Sequence, residues 1–491
     1  MLTSRWAITV IAILVLLGQQ VPAAADSVEE HLEKAKVAQM GGDHTKAIEE
    51  LTRAIRLGRS NADAYFKRAL SYEKLGNYPE AISDYGRAIQ LDPHMGLAYN
   101  NRGSVYYRQE NFDKAINDLT KAIEINPSHA VAYYNRGNAY QRKGDFEKAI
   151  TDFTHAIEIN PGDPDAYNSR GWALLQKNNP EDSIENFNKA LELNPRYALA
   201  YYNRGSARLK NGDPDGSILD LNKAIELNPE YSLAYFQRGN ARFNKDQLEQ
   251  AIEDYNRAVR ITPDQADLYN NRGWAFFKKG NYALAQRDIS KAISLNPRLT
   301  RAYINRGWIH ENIGECPRAI ADFSRALELD DRSAAAYAYR AACYRETNQL
   351  EKAVSDFEQA VNLGFQEPDT LMQLGILKEK AGDYAAAINA FRHLNSLKPA
   401  DAEAHFNLGV ALGKNGQISE AIKELSKSLE LNPKNREALL HRAVAFEFLG
   451  ERVRASEDFN AAMMLPEERQ SNTALREPIM TSRLKDMLTA K

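Results

Sequence analysis

Small and apolar side chains recur along this chain with a period of 34 residues. From Val28 to Arg469 the sequence divides without gaps into thirteen consecutive repeats of that length. We number the places within each repeat from 1, so that repeat 1 begins at Val28. Place 8 is always Gly or Ala, place 20 is always Ala or Ser, and place 27 is Ala in eleven of the thirteen repeats. Such regular spacing predicts a chain built from one duplicated structural unit.

Within one repeat the pattern predicts two antiparallel helices. Small residues stand where two helix backbones approach each other, and Tyr, Phe or Leu fill the remaining gaps. A Gly at place 15, as in Gly76 and Gly144, separates the first helix from the second. A Pro at place 32 then ends the second helix. This proline is found as Pro93, Pro127, Pro161, Pro195, Pro229, Pro263, Pro297, Pro399 and Pro433.

Repeat 4 carries the complete pattern. Its residues are Tyr133 at place 4, Gly137 at place 8, Tyr140 at place 11, Ala149 at place 20, Phe153 at place 24, Ala156 at place 27 and Pro161 at place 32. In these residues the chain resembles the tetratricopeptide repeat (TPR) family. The resemblance covers residues 28–469. It implies an all-α, right-handed superhelical solenoid of about thirteen helix-turn-helix units, whose inner groove holds other polypeptides.

The two ends of the chain depart from the repeat pattern. Arg5, the apolar run Ala7–Leu17 and the small residues Ala23 and Ala25 predict a signal peptide over residues 1–25. We therefore expect a periplasmic or secreted protein that begins near Asp26. The alternative is an uncleaved segment, which would make the protein a membrane-anchored adaptor. Residues 470–491 are expected to form a C-terminal capping helix or tail.

A possible flexible seam is predicted at 330–369. Two consecutive repeats lack the proline at place 32 here, with Asp331 and Phe365 in its position. Soon afterwards place 7 changes from Arg to Leu, at Leu374 and Leu408. Because a repeat contacts only its neighbours, a weak interface is where such an array bends or frays.

Composition narrows the class of function. The 63 basic and 66 acidic residues are spread along the whole chain, so no basic stripe is available for nucleic acid. The sequence has no nucleophile paired with a base, no metal-ligand cluster and no phosphate loop. We therefore expect a non-enzymatic protein with no cofactor and no metal, which contacts a membrane only if the signal segment stays uncleaved. Cys316 and Cys343 could form a disulfide or remain two small buried residues.

Place 7 carries an unexpected charge. The TPR family usually has a buried aliphatic residue there, whereas this chain has Arg in ten repeats, nine of which also carry Asp at place 23. We interpret these residues as half-buried ion pairs between the two helices. Examples are Arg102 with Asp118, Arg136 with Asp152, and Arg238 with Asp254. Removing Arg238 alone should cost about 3 kcal/mol by stranding Asp254. The alternative is drift among duplicated repeats.

A candidate peptide-binding groove follows from the first helices, which line the inner wall in the TPR family. Place 6 carries Asn101, Asn135, Asn203, Asn271 and Asn305, a row similar to the asparagine ladder of the O-GlcNAc transferase repeat domain. Amides both donate and accept, so a row of them can pair with any peptide backbone. Large aromatic residues stand on the same strip: Trp172, Tyr202, Phe236, Trp274 and Trp308. Alternatively, the amides are inherited caps, and the tryptophans pack against the neighbouring first helix.

The sequence therefore predicts a scaffold that binds extended polypeptide segments, in the assembly of the cell envelope. The expected partners are other proteins or peptides. Because aromatic and amide groups can equally stack on sugars, a polysaccharide-binding or export scaffold is the alternative.

Overall fold

A computed structural model describes residues 27–465 of the chain. The predicted signal peptide at 1–25 and the predicted C-terminal cap or tail at 470–491 lie outside the described residues. Within residues 27–465 every regular element is an α-helix, and the helices follow one another in pairs.

The first helix of each repeat begins at place 1. These helices are α1 Val28–Met40, α3 Ala62–Lys74, α5 Gly96–Arg108, α7 Ala130–Arg142, α9 Pro164–Gln176, α11 Ala198–Lys210, α13 Ser232–Asn244, α15 Ala266–Lys278, α17 Thr300–Asn312, α19 Ala334–Glu346, α21 Pro368–Lys380, α23 Ala402–Lys414 and α25 Arg436–Phe448.

The second helix of each repeat begins at place 17. These helices are α2 His44–Leu57, α4 Tyr78–Leu91, α6 Phe112–Ile125, α8 Phe146–Ile159, α10 Pro180–Leu193, α12 Pro214–Leu227, α14 Leu248–Ile261, α16 Tyr282–Leu295, α18 Cys316–Leu329, α20 Leu350–Asn362, α22 Tyr384–Leu397, α24 Ile418–Leu431 and α26 Arg452–Met463. The prediction of an all-α array of thirteen helical hairpins is confirmed.

Two places of the repeat explain why the hairpin forms. A Cβ atom added at Gly137, place 8, would lie 2.7 Å from the ring of Phe153, so the two helices approach too closely there for a larger residue. Place 15 turns the chain with a positive φ, which is +80° at Gly144. Asn178 adopts the same left-handed conformation without being glycine, at 61°. The turn therefore depends on the backbone conformation at place 15 rather than on one residue type.

The chain divides into two compact units at the boundary between Ile261 and Thr262. Unit 1 contains the helices of repeats 1–7, and unit 2 contains the helices of repeats 8–13. In both units the small residues at places 20 and 27 are buried between the helices, as Ala149 and Ala156 illustrate in repeat 4. These alanines allow the close packing that the sequence pattern predicted.

The predicted seam at 330–369 lies inside unit 2 and does not coincide with the boundary between the units. Its distinguishing feature is the connection between α20 and α21. The second helix ends one residue early, at Asn362, and Gly364 follows with a φ of 90° before α21 begins at Pro368. Whether this segment opens before its neighbours stays a prediction.

Candidate functional site

The helices of most repeats are joined by a forked ion pair between places 7 and 23. In repeat 4, Nε and Nη2 of Arg136 donate to the two carboxylate oxygens of Asp152, each at 2.8 Å. The Asp152 side chain is only 4% exposed. This two-bond geometry matches the planar guanidinium to the carboxylate and fixes the two helices against each other. The same pairing joins Arg68 to Asp84, Arg102 to Asp118, Arg204 to Asp220, Arg238 to Asp254, Arg272 to Asp288, Arg306 to Asp322, Arg340 to Asp356, and Arg442 to Asp458.

Each of these arginines also has neighbours beyond its aspartate. The Nη1 of Arg136 donates at 3.0 Å to the hydroxyl of Thr120, at place 25 of the preceding repeat. The guanidinium carbon lies 5.7 Å from the ring centre of Tyr133, at place 4 of its own repeat. The arginine therefore joins its own two helices and also the preceding repeat. Such complete pairing is what permits a charged group to be half-buried.

Repeats 3 and 5 show how the partner residue affects the pKa of the arginine. The hydrogen bond from Arg102 to Asp118 raises the pKa of Arg102. In repeat 5, the Nε of Arg170 donates at 2.8 Å to the neutral amide of Asn186, and burial lowers the pKa of Arg170. The charged form of the guanidinium is therefore stabilised more in repeat 3, where a carboxylate faces it, than in repeat 5.

Repeats 1 and 12 replace this pair with a histidine and a glutamate. His31 and His405 both stand at place 4, and each places Nδ1 2.6 Å from the carboxylate at place 23, that of Glu50 and Glu424 respectively. At place 7, repeat 1 carries Lys34 instead of Arg. In the structure Glu50 contacts His31 and Arg53, and Lys34 lies 2.6 Å from Glu30. The sequence carried a signal for this arrangement, since His at place 4 coincides with Glu at place 23.

The candidate groove residues of unit 1 are Asn101, Asn135, Trp172, Tyr202, Asn203 and Phe236. Some of their side chains also make contacts that hold the repeats together. The Nδ2 of Asn135 donates to Oδ1 of Asn100 at 3.2 Å, and Nδ2 of Asn100 donates to Oδ1 of Asn101 at 2.9 Å. A chain of three amides therefore links repeats 3 and 4.

Asn203 is less accessible than the groove interpretation requires. It is only 4% exposed, and its Nδ2 donates at 2.9 Å to Oδ1 of Asn168. Because its side chain is buried, Asn203 would have to move to contact a ligand. The sequence interpretation overlooked the asparagines at place 5, Asn100 and Asn168, which accept the bonds between repeats.

The aromatic residues of unit 1 are partly buried and lie against rings of their own or the preceding repeat. Trp172 meets Phe146 edge-on with ring centres 5.9 Å apart, and Tyr202 lies 5.1 Å from Tyr231. Phe236 lies 5.9 Å from Tyr255. Burial raises the pKa of the Tyr202 hydroxyl. At place 2 of repeats 3, 4, 6 and 7, four apolar side chains are more exposed: Leu97, Val131, Leu199 and Leu233.

The candidate groove residues of unit 2 are Asn271, Trp274, Asn305 and Trp308, on α15 and α17. A second chain of three amides runs from Asn305 through Asn270 to Asn271, with bonds of 3.0 and 3.2 Å. On the same two helices, the rings of Trp274 and Trp308 lie 5.7 Å apart. The expected tryptophan strip is thus also a packing contact between neighbouring first helices, as the alternative interpretation held.

Further rings extend this strip within unit 2. Trp274 stacks on Phe277 at 4.9 Å, and Trp308 meets Tyr339 of the next repeat edge-on at 4.7 Å. The Nζ of Lys278 lies 5.6 Å from the centre of the Trp274 ring. We name Trp274, Phe277, Trp308 and Tyr339 the aromatic strip. Three of these rings are only partly buried, so the strip presents both an apolar surface and polar edges.

Two observations bear on other functions. Within residues 27–465, no three histidine, cysteine, aspartate or glutamate side chains form an arrangement that could hold a metal ion. None of the helices described here is long and apolar enough to cross a membrane.

Models of known repeat families match most of residues 41–457. One family, described as TPR repeat, matches residues 41–76, 103–144 and 239–280. Others, described as tetratricopeptide repeat, match residues 62–95, 130–163, 168–231, 221–253, 266–299, 304–367 and 379–457. No protein of curated function matches the sequence.

Solved structures with similar folds include MamA, which is 28% identical, with a TM-score of 0.33 over 34% of this chain and 92% of MamA. YrrB, described as a TPR protein with an unusual peptide-binding site, is 24% identical, with a TM-score of 0.34 over 38% of this chain and 95% of YrrB. A tetratricopeptide repeat protein from Parabacteroides merdae is 23% identical, with a TM-score of 0.41 over 51% and 98% of the two chains. Because these TM-scores are low, the family assignment rests on the repeat models.

Proposed function

The chain belongs to the tetratricopeptide repeat family, and from this premise we propose that its first helices bind extended polypeptide segments of envelope-assembly partners. The family assignment supports a protein–protein interaction scaffold. The binding surface, the extended form of the ligand and the envelope setting are the proposed part.

The observation that carries the proposal is the aromatic strip of unit 2. Its two tryptophans stand on α15 and α17, where they contact each other and remain partly exposed. Large aromatic side chains lose little conformational entropy when they bind, and they supply most of the energy at protein interfaces. A rigid set of rings held by neighbouring helices is therefore suited to anchor apolar side chains of a ligand.

The amide chain on the same two helices supports recognition of a peptide backbone. Asn305 uses one Nδ2 donor on Asn270, and each amide carries two donors and an oxygen with two lone pairs. The bond between repeats fixes the orientation of Asn305 while leaving hydrogen-bonding capacity for a ligand. Unit 1 repeats the arrangement with Asn135 and Asn100, and its exposed leucines and valine at place 2 add apolar surface.

The test is to replace one anchor and measure partner binding. We expect Trp274→Ala to weaken the binding of a partner captured from envelope extract by about 2 kcal/mol, or about thirtyfold in Kd. Asn271→Ala should have a smaller effect, because a neutral hydrogen bond contributes about 1 kcal/mol. Titration calorimetry with the captured partner measures both values.

The matched control is Leu284→Ala, which removes an exposed apolar side chain from α16, the second helix of the same repeat. It should leave binding unchanged, and the circular dichroism spectrum of Trp274→Ala should remain helical. If Trp274→Ala unfolds the protein or binds every captured partner like the wild type, the proposal fails. If soluble glycans displace the partners, the polysaccharide alternative replaces it.

A further inference from the structure

The only two cysteines of the chain meet in the core of unit 2, although they belong to different repeats. Cys316 is the first residue of α18 in repeat 9, and Cys343 lies on α19 in repeat 10. Both are free thiols, 4% and 0% exposed, in one cluster with Ala319 and Phe323. The helices α18 and α19, which carry them, pack directly on each other. Residues 27 positions apart are thus brought together only by the packing of repeat 10 on repeat 9.

We propose that Cys316 and Cys343 form a reversible disulfide that links repeat 9 to repeat 10, made by exchange with a disulfide-containing oxidant. The packing of the two helices already holds both cysteines in one buried cluster, so the bridge joins residues of the same packing contact in the reduced protein. This inference is independent of the polypeptide-binding proposal.

The geometry assigns an order to the two thiols. Cys316 stands at the edge of the cluster, where its Sγ donates at 3.0 Å to Oε2 of Glu346, whose side chain is 51% exposed. Cys343 is fully buried behind it. An oxidant arriving from solvent therefore meets Cys316 first, and Cys343 is placed to resolve the product.

Two thiol–disulfide exchange steps form the bridge. The Cys316 thiolate attacks one sulfur of glutathione disulfide, which breaks the oxidant's S–S bond, forms a mixed disulfide on Cys316 and releases one glutathione thiolate. The Cys343 thiolate then attacks the Cys316 sulfur and displaces the second glutathione thiolate. The protein dithiol loses two electrons, the oxidant gains them, and the two protons of the cysteines end on the two released glutathione molecules.

Acidic neighbours slow the attack by Cys316 because they disfavour its thiolate form. Burial and the hydrogen bond to Glu346 raise the pKa of Cys316 to about 11, and burial also raises the pKa of Cys343. Glu311 stands beside the same group: burial and the charge of Glu346 raise the pKa of the Glu311 carboxyl to about 7, while Arg345 opposes the shift. Because the thiolate is the reactive form, the cluster favours a slow exchange at neutral pH.

The experiment incubates the full chain, without denaturant, with glutathione disulfide, blocks remaining thiols and digests it with trypsin. We expect a disulfide-linked pair of the peptides 307–318 and 341–345, which disappears on reduction. The oxidised protein should melt about 5 °C above the reduced one. In Cys343→Ser the bridge cannot close, so one glutathione should remain on Cys316. Two blocked thiols in the wild type, or a stable glutathione adduct on it, would overturn the proposal.

A second variant tests the role of Glu346. Glu346→Gln keeps an oxygen acceptor beside the thiol but removes the negative charge of Glu346. We therefore expect the bridge to form about threefold faster, or more, in this variant than in the wild type. Glu328→Gln, an exposed carboxylate at the other end of α18, is the control and should leave the rate unchanged. A rate that falls in Glu346→Gln would overturn the assignment of Glu346 as a restraint on the exchange.

Discussion

Repeat 4 and repeat 11 join their two helices at the same places by opposite means. Repeat 4 places the charged pair Arg136 and Asp152 between the helices, with the aspartate buried. Repeat 11 places Leu374 and Ala390 there, both buried in one apolar cluster. One fold therefore accepts either solution. This agrees with the general finding that a buried ion pair can be exchanged for apolar residues, whereas breaking it is costly.

We expect the largest loss of stability when only one member of an ion pair is replaced. Arg136→Leu removes both guanidinium donors from Asp152 and leaves the carboxylate buried among apolar residues. We expect the free energy of unfolding to fall by about 3 kcal/mol. Urea denaturation followed by circular dichroism measures the loss.

The control variant replaces both members of the pair. Arg136→Leu combined with Asp152→Ala copies repeat 11, so it should recover more than half of the lost stability. Equal losses in the single and double variants would show that the arginine stabilises the repeat mainly through its other neighbours, Thr120 and Tyr133.

Repeat 7 should tolerate the same substitution better. Asp254 accepts from Arg238 and also from Nη1 of Arg242, at 2.9 Å. Arg238→Leu therefore leaves the carboxylate paired, and we expect a loss of about 1.5 kcal/mol, half of what the sequence pattern alone suggested. Comparing its urea midpoint with that of Arg136→Leu checks this difference. In the double variant Arg238→Leu, Arg242→Leu, the loss of stability should equal that of Arg136→Leu. If Arg238→Leu alone costs as much as Arg136→Leu, Arg242 does not compensate for the missing arginine.

The repeat architecture could be predicted from the sequence because each helix start depends on local residues that recur. Small residues at places 8, 20 and 27 and the proline at place 32 act within one repeat, so their spacing alone locates the helices. The pairing of Arg136 with Asp152 was predictable because Arg at place 7 and Asp at place 23 occur together in nine repeats and are replaced together in repeats 1, 11 and 12.

Contacts between repeats were harder to predict. The acceptor at place 25 is Thr120 for Arg136, Ser324 for Arg340 and Asn222 for Arg238, three residue types that share only a side-chain oxygen. The hydrogen bonds that Asn100 and Asn270 accept were missed because their donors lie 35 residues away, one place beyond the repeat length. A pattern searched at a fixed place does not show a bond between two different places of successive repeats.

The smallest predicted effect comes from completing the pair in repeat 5. There Arg170 already donates to Thr154 and lies 5.7 Å from the ring of Tyr167, but its partner on α10 is the neutral Asn186. Asn186→Asp would supply a carboxylate in the position that Asp152 occupies in repeat 4. It would also lose the bond from Nδ2 of Asn186 to the carbonyl of Asp182, 2.8 Å long.

Because a charge-assisted bond is about twice as strong as a neutral one, we expect a net gain of about 0.5–1 kcal/mol in the free energy of unfolding. Urea denaturation measures it. The control is Arg170→Leu, in which the same Asn186→Asp change should destabilise the protein, because the new carboxylate would then be buried without its arginine. A gain of equal size in both backgrounds would mean that the aspartate acts through the helix rather than through Arg170, and that the pair contributes no stability in this repeat.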